Sequence, residues 1–281
     1  MERSLKGMEM QVPIYRWKET SPKDRQRILR RSGEDIERFE ADARKIIDEV
    51  AEKGDAALID QARRFDGADL SKLGIRVSEE EIERAVHRLD PEVIAAIDRS
   101  CENIRRFHEA QIPEEYWMLE VTPGVFAGEK IVPIPSVALY VPRGTASYPS
   151  VMLMLGIPAA VAGVKRIVAV SPPCRDGRVD DGTLYAARKI GVHEVLRMGG
   201  AGAVAALAFG TDSVKPVFKL IGPMNIYGAA AKKILYGKID VGTPAGPSEA
   251  IILADDSVSA ELAAGDLLIE AEHGPYSAAL L

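Results

Sequence analysis

Val137-Ala138-Leu139-Tyr140-Val141, the loop from Pro142 to Ser150, the apolar run 151–164 and the segment Arg166-Ile167-Val168-Ala169-Val170 form the stretch on which the fold turns. Two short apolar runs separated by a segment far longer than a hairpin turn read as strand, helix, strand. Neither run alternates apolar with polar residues, as a strand buried on both faces requires. The same grammar continues through helix 181–190, strand 194–198, helix 203–209, strand 218–221 and helix 225–236. Strands alternating with helices predict an α/β domain built on a parallel sheet with helices on both faces.

Upstream, the chain reads as helix. Ile36, Phe39, Ala43, Ile46, Ile47 and Val50 follow helical spacing up to Gly54, and a second short helix spans 56–65 and ends at Asp66-Gly67. Ser78 with Glu81 is a capping-box signature for a helix over 79–89, and a longer helix runs from Pro91 to Ala110. Residues 1–29 are polar, weakly patterned and read as an arm. Downstream, Ala250 to Ala254 is strand-like, a helix leads into His273, and Tyr276 to Leu281 begins another apolar strand. One strand-helix-strand unit cannot cover both faces of a sheet, so this piece either extends the preceding domain or pairs with the early helical section.

Composition narrows the function classes. Lys plus Arg total 36 against 42 Asp plus Glu, a net charge of −6. With no basic stripe interleaved with aromatics, the chain has no electrostatic footprint for nucleic acid. The longest apolar run, 151–164, contains Gly156 and Pro158 and is too short to span a bilayer. The first twenty residues carry charges throughout and hold no apolar secretory core. Two cysteines, Cys101 and Cys174, do not make a disulfide framework, which fits a cytoplasmic protein.

Chemistry-bearing residues gather at the turns that follow strands. In open α/β sheets ligands bind outside the carboxyl ends of the strands. There the chain places the loop 144–150, Gly222-Pro223-Met224-Asn225 and Gly246-Pro247-Ser248-Glu249. Asn225 and Ser248 are also helix-capping residue types. Gly200-Ala201-Gly202-Ala203-Val204-Ala205 meets the outline of a dinucleotide fingerprint, with a short helix after it and no acidic residue ending a strand some 20 residues on. In Asp266-Leu267-Leu268-Ile269-Glu270-Ala271-Glu272-His273, Glu270 and His273 leave one helical face with Asp266 a turn earlier. A carboxylate and an imidazole so placed can share a divalent metal, since Zn²⁺ takes nitrogen and oxygen donors at about 2 Å. A solvated helix end that complements the dipole is the plainer use of the same residues.

Taken together, these residues resemble the histidinol dehydrogenase family. The run Ile239-Asp240, Ala245-Gly246-Pro247-Ser248-Glu249, Ala254-Asp255, Asp266-Leu267-Leu268 and Glu272-His273 is similar to the family signature in order and spacing. Leu139-Tyr140-Val141-Pro142, Gly199-Gly200-Ala201, Gly222-Pro223, Asn225-Ile226-Tyr227, Lys53-Gly54-Asp55-Ala56 and Phe65-Asp66-Gly67 fit as well, so the likeness runs from about residue 30 to 281.

The resemblance implies two incomplete Rossmann-like parallel sheets preceded by a helix-rich section. Its expected layout is an arm over 1–29, a first α/β domain from 30–139 plus 248–281, and a Rossmann-like nucleotide-binding domain over 140–247. It implies a homodimeric, NAD-dependent, zinc-requiring enzyme that oxidises an amino alcohol to an acid in two hydride transfers. On that pattern Tyr140, Gly202 and Asn225 hold cofactor positions, Ser248 meets substrate, and Glu270 and His273 serve substrate and metal. Three positions depart from it: Glu270 replaces a usual Gln, Gly202 a usual Gln and Met224 a usual Gly. An anionic ligand at 270 strengthens cation binding and makes a bound alcohol less acidic. No catalytic residue is expected within this chain, because the family's Glu-His pair and remaining zinc ligands follow the position of Leu281. The chain alone is therefore expected to hold metal weakly and to show no turnover. The rival readings are a related dehydrogenase for another polar alcohol and a non-catalytic nucleotide-binding module.

Overall fold

The computed structural model describes residues 15–30, 35–143, 147–242, 249–272 and 277–281. Its packing divides the chain into two compact units, one of residues 35–246 and one of the two end segments.

In the larger unit, four parallel strands form the central sheet: β3 (Ser136–Tyr140), β4 (Arg166–Ser171), β5 (Glu194–Arg197) and β6 (Lys219–Ile221), in the order β5-β4-β3-β6. Helices α6 (Pro149–Val161), α7 (Asp181–Lys189) and α8 (Gly200–Phe209) are the crossovers, and α9 (Ile226–Leu235) follows β6. The chain steps outward from β3 to β5 and then returns to place β6 on the other side of β3. That reversal opens a crevice between the carboxyl ends of β3 and β6, the topological switch point of a Rossmann-like half. The alternation legible in the sequence thus folds as expected, and α8 starts three residues earlier than its periodicity indicated.

Period-two alternation sorts the strand side chains between two cores. Val137, Leu139, Ala169 and Val195 face one core with Met152, Leu153 and Ile157 of α6 and Leu184 of α7. Ala138, Tyr140, Val168, Val170 and Leu196 face the other with α8 and α9. Helix α8 is buried from Ala201 to Ala208, so it is apolar all round, as an inner helix must be.

The early helices complete these layers. Helix α2 (Asp35–Lys53) packs on α8 and α9 through Ala43, Ile47 and Val50, and α3 (Asp55–Gln61) packs against α8. Helices α4 (Glu79–Arg88) and α5 (Pro91–Glu109) cover the opposite face against α7 and α6. The expected capping box is present: Ser78 accepts from the Glu81 N–H and the Glu81 carboxylate accepts from the Ser78 N–H. The expected layout put these helices in a domain apart from 140–247. Their apolar faces instead close the sheet of β3–β6, because that sheet is apolar on both sides.

A hairpin that periodicity did not indicate lies between: β1 (Tyr116–Thr122) pairs antiparallel with β2 (Val125–Lys130) around Pro123-Gly124. Both faces are exposed, with Trp117, Leu119 and Phe126 among the uncovered apolar residues. The signal was there in Tyr116-Trp117-Met118-Leu119 and Pro-Gly, but apolar residues on both faces blur the alternation.

In the smaller unit, α1 (Pro22–Arg30) begins within the stretch read as an arm and ends one residue beyond it. Strands β7 (Glu249–Ile251) and β8 (Ala278–Leu280) pair in parallel across the crossover helix α10 (Ala260–Ala271), which Ser259 caps by accepting from the Leu262 N–H. Leu253, Leu262, Leu268 and Ile269 remain exposed. Among the described residues, no helix is long and apolar enough to cross a membrane.

Candidate functional site

The carboxyl end of β3 delivers Tyr140 to the switch point. Its ring is buried and its hydroxyl accepts a hydrogen bond from the Gly200 N–H at 3.1 Å, where α8 begins. Burial foremost, with Asp66 nearby, pushes the phenol up to about 12, so it is neutral at physiological pH. Across the crevice, β6 is followed by Gly222 with φ +121°, and a Cβ there would run into the Tyr140 carbonyl. Only glycine lets the two strand ends approach this closely.

The turn after β6 is held from behind. Lys232 of α9 is buried and donates to the Gly222 carbonyl at 2.7 Å, and burial pulls its ammonium pKa down. Asn225 caps α9, its Oδ1 accepting from the Gly228 N–H at 3.0 Å. The capping and ligand readings of Asn225 are compatible: the cap uses Oδ1, and Asn225 also lines the cleft. Met224 folds back over Gly228, where a Cβ would meet its side chain at 2.7 Å.

These groups border a cavity of about 540 Å³, a volume suited to a small-molecule site. Tyr140, Gly202 and Asn225, the three expected cofactor positions, all line it. So do Gly199 and Gly200 at the start of α8, Pro142 and Arg143 after β3, and Pro172 after β4. The opposite wall comes from α2, α3 and the π-helical turn Ala62–Asp66 that follows α3. Gln61 of α3 is buried beside Gly202, and its Nε2 donates to the Ile46 carbonyl and to Glu49 at 3.3 Å each.

Asp66, a helix end in the sequence and part of the family-like Phe65-Asp66-Gly67, is a cleft residue to which the sequence assigned no site role. It lines the cleft, and burial foremost raises its carboxyl to about 6 against the pull of nearby Arg143. Its surroundings are assembled from the loops after β3 and β4, where Arg143 and Arg175 lie.

In the smaller unit, Glu270 lies at the end of α10, and its Oε1 is buried with no hydrogen-bond partner among the described residues. Asp266 is exposed. Ser248 and His273 lie outside the described residues, as does the start of the loop 144–150. Among the described residues no cluster of three or more His, Cys, Asp or Glu is placed to hold a metal.

Fold and cleft define an α/β protein with a Rossmann-like sheet and a ligand crevice at its switch point. Comparison with known proteins sharpens this. The family model for histidinol dehydrogenase matches residues 29–281. The histidinol dehydrogenase of Synechocystis sp. is 49% identical over 268 residues, 95% of this chain and 62% of that protein. A histidinol dehydrogenase homolog 2 of Mesorhizobium japonicum is 52% identical over 257 residues, 92% of this chain and 58% of that protein. The crystal structure of histidinol dehydrogenase from Elizabethkingia anophelis superposes with a TM-score of 0.78 at 38% identity, covering 85% of this chain and 55% of that one. The chain belongs to the histidinol dehydrogenase family and spans roughly three-fifths of the length of these relatives.

Proposed function

We propose that this chain is the nucleotide-holding part of a zinc-requiring, NAD-dependent enzyme that oxidises L-histidinol to L-histidine in two successive hydride transfers. The observation that carries this reading is the convergence of Tyr140, Gly202 and Asn225, which lie far apart in sequence, on one cavity at the switch point. The cavity has small-residue backbone at the start of α8, where a dinucleotide can approach closely. Tyr140, neutral and fixed by the Gly200 N–H, keeps its own hydroxyl proton for a ligand acceptor. Asn225 keeps its carboxamide N–H₂ group for the same purpose.

The metal side is carried by Glu270 and His273, with Ser248 meeting the substrate. The buried Oε1 of Glu270, with no partner among the described residues, fits a cation ligand, because such an oxygen is costly to leave unsatisfied. When bound, zinc polarises the substrate alcohol and lowers its pKa. In this reading, removing the alcohol proton falls to the family's Glu-His pair. A homodimer is part of the proposal, supported by the apolar hairpin β1–β2 and the uncovered apolar residues around β7 and α10. Two free cysteines go with a cytoplasmic setting.

The test separates binding from turnover. NADH fluorescence should report binding to the purified 281-residue chain, while L-histidinol with NAD⁺ and Zn²⁺ should yield no NADH. A chain that fails to bind NADH overturns the nucleotide reading, and turnover by the chain alone overturns the division of labour. A second reading, a dehydrogenase of this scaffold for another polar alcohol, is favoured by Gly202 and Met224. Binding titrations with a panel of polar alcohols, starting with L-histidinol, decide between them.

A further inference from the structure

Rossmann-like folds that bind NAD usually end their second strand with a carboxylate that takes the adenosine ribose hydroxyls. The second strand of this sheet is β4, and it ends Ser171-Pro172-Pro173 with no acid. The region beside that strand end is supplied from elsewhere in the fold. A Cβ on Gly67 would touch the Arg175 side chain at 3.9 Å, in the loop that follows β4. Gly177 in the same loop faces the side chains of Leu70 and Leu73. Arg143 donates to the Pro173 carbonyl at 3.4 Å and lies near enough to Asp66 to act on its charge. The segment 66–73 therefore lies against the loop after β4, and Asp66 is the member of it that lines the cleft.

We propose that Asp66, carried on the π-helical turn after α3, is the ribose-diol acceptor of this site and makes it select NAD over NADP. The inference rests on the nucleotide reading of the cleft. A carboxylate offers two oxygens to the two adjacent hydroxyls of a ribose and repels a phosphate on the 2′-oxygen. The Asp66 side chain makes no hydrogen bond to a described residue, while its neighbours Arg64 and Asp69 are tied up with Glu49 and Arg63. Arg143 beside it discriminates against a cationic ligand, which favours a neutral diol over an ammonium group. It also keeps the carboxyl from rising further, so Asp66 is ionised at neutral pH.

The experiment is fluorescence titration of the 281-residue chain with NADH and with NADPH, for the parent, Asp66→Asn and Asp66→Ala, with thermal melting to confirm folding. The parent should bind NADH at least roughly tenfold more tightly than NADPH, and Asp66→Ala should weaken NADH by about the same factor. In Asp66→Asn the preference should shrink to within about threefold, because the charge that rejects the phosphate is gone. Equal affinities for the two nucleotides in the parent, tighter NADPH, or folded variants with unchanged affinities would overturn the assignment while leaving the nucleotide cleft standing. Binding of neither nucleotide by the parent would remove the cleft reading and this one together.

Discussion

The side-chain amide oxygen of Gln61 lies in the space that a Cβ on residue 202 would fill, so Gly202 and Gln61 share one place on the cleft wall. Gln61 is held there by its bonds to the Ile46 carbonyl and Glu49. Gly202→Ala should force it out and break both, at a cost of about 1–3 kcal/mol by urea denaturation. In Gln61→Ala the place is vacant, and adding Gly202→Ala should then cost little. A double-mutant cycle with no coupling between the two sites would contradict the shared space.

Asp66 yields a pH dependence of definite sign. Its carboxyl rises from 3.8 to about 6 on folding, so the folded chain binds that proton more tightly than the unfolded one. The contribution to stability is therefore best below pH 3.8 and is lost as pH climbs to about 6. Asp66→Asn should be more stable than the parent at pH 7.5 by about 1–2 kcal/mol, the shift discounted for an open cleft. The gap between parent and variant should close near pH 4. A variant less stable than the parent at pH 7.5 would show that Asp66 has a stabilising partner. Weaker ligand binding in a more stable protein marks a residue kept for function.

Arg197, at the end of β5, is fully buried and donates through Nη1 to the carbonyls of Leu73, Gly74 and Arg76 at 2.9, 3.0 and 3.1 Å. Its Nη2 pairs with Glu81, which also closes the capping box of α4. Arg197→Met should cost about 3–5 kcal/mol, because three carbonyls and a carboxylate lose their donor together. Thermal melting reads this, and a loss below about 1 kcal/mol would mean that water replaces the guanidinium.

The hairpin should make the chain self-associate. Leu119 and Phe126 are each about 60% exposed on β1 and β2. Leu119→Lys with Phe126→Lys should shift the parent toward monomer in analytical ultracentrifugation, leaving NADH binding unchanged. Identical sedimentation of parent and double variant would place any contact between copies elsewhere.

How much could be read from the chain differs by element. The Ser78–Glu81 capping box, the Asn225 cap and the runs of β3 and β4 were legible because each depends on groups within a few residues of one another. The hairpin escaped because apolar residues on both of its faces leave no period to detect. Tyr140 and Asn225 were marked by family likeness, and Ser248 and His273 by the same signature, although those two lie outside the described residues. Asp66 was marked only as a helix end and as part of the family-like Phe65-Asp66-Gly67, with no site role.

Local chemistry in the sequence specified the order of strands and helices, their caps, and the positions where loops meet strand ends. Tertiary packing set the arrangement β5-β4-β3-β6 and gave the early helices to both faces of that sheet. It also laid Tyr140 against Gly200, sixty residues away, and brought Asp66 to the cleft. The physical reason is range. Helix periodicity and capping are satisfied within a turn or two, whereas a carboxyl group's environment and a crevice's lining are made by segments that meet only once their apolar faces have been buried together.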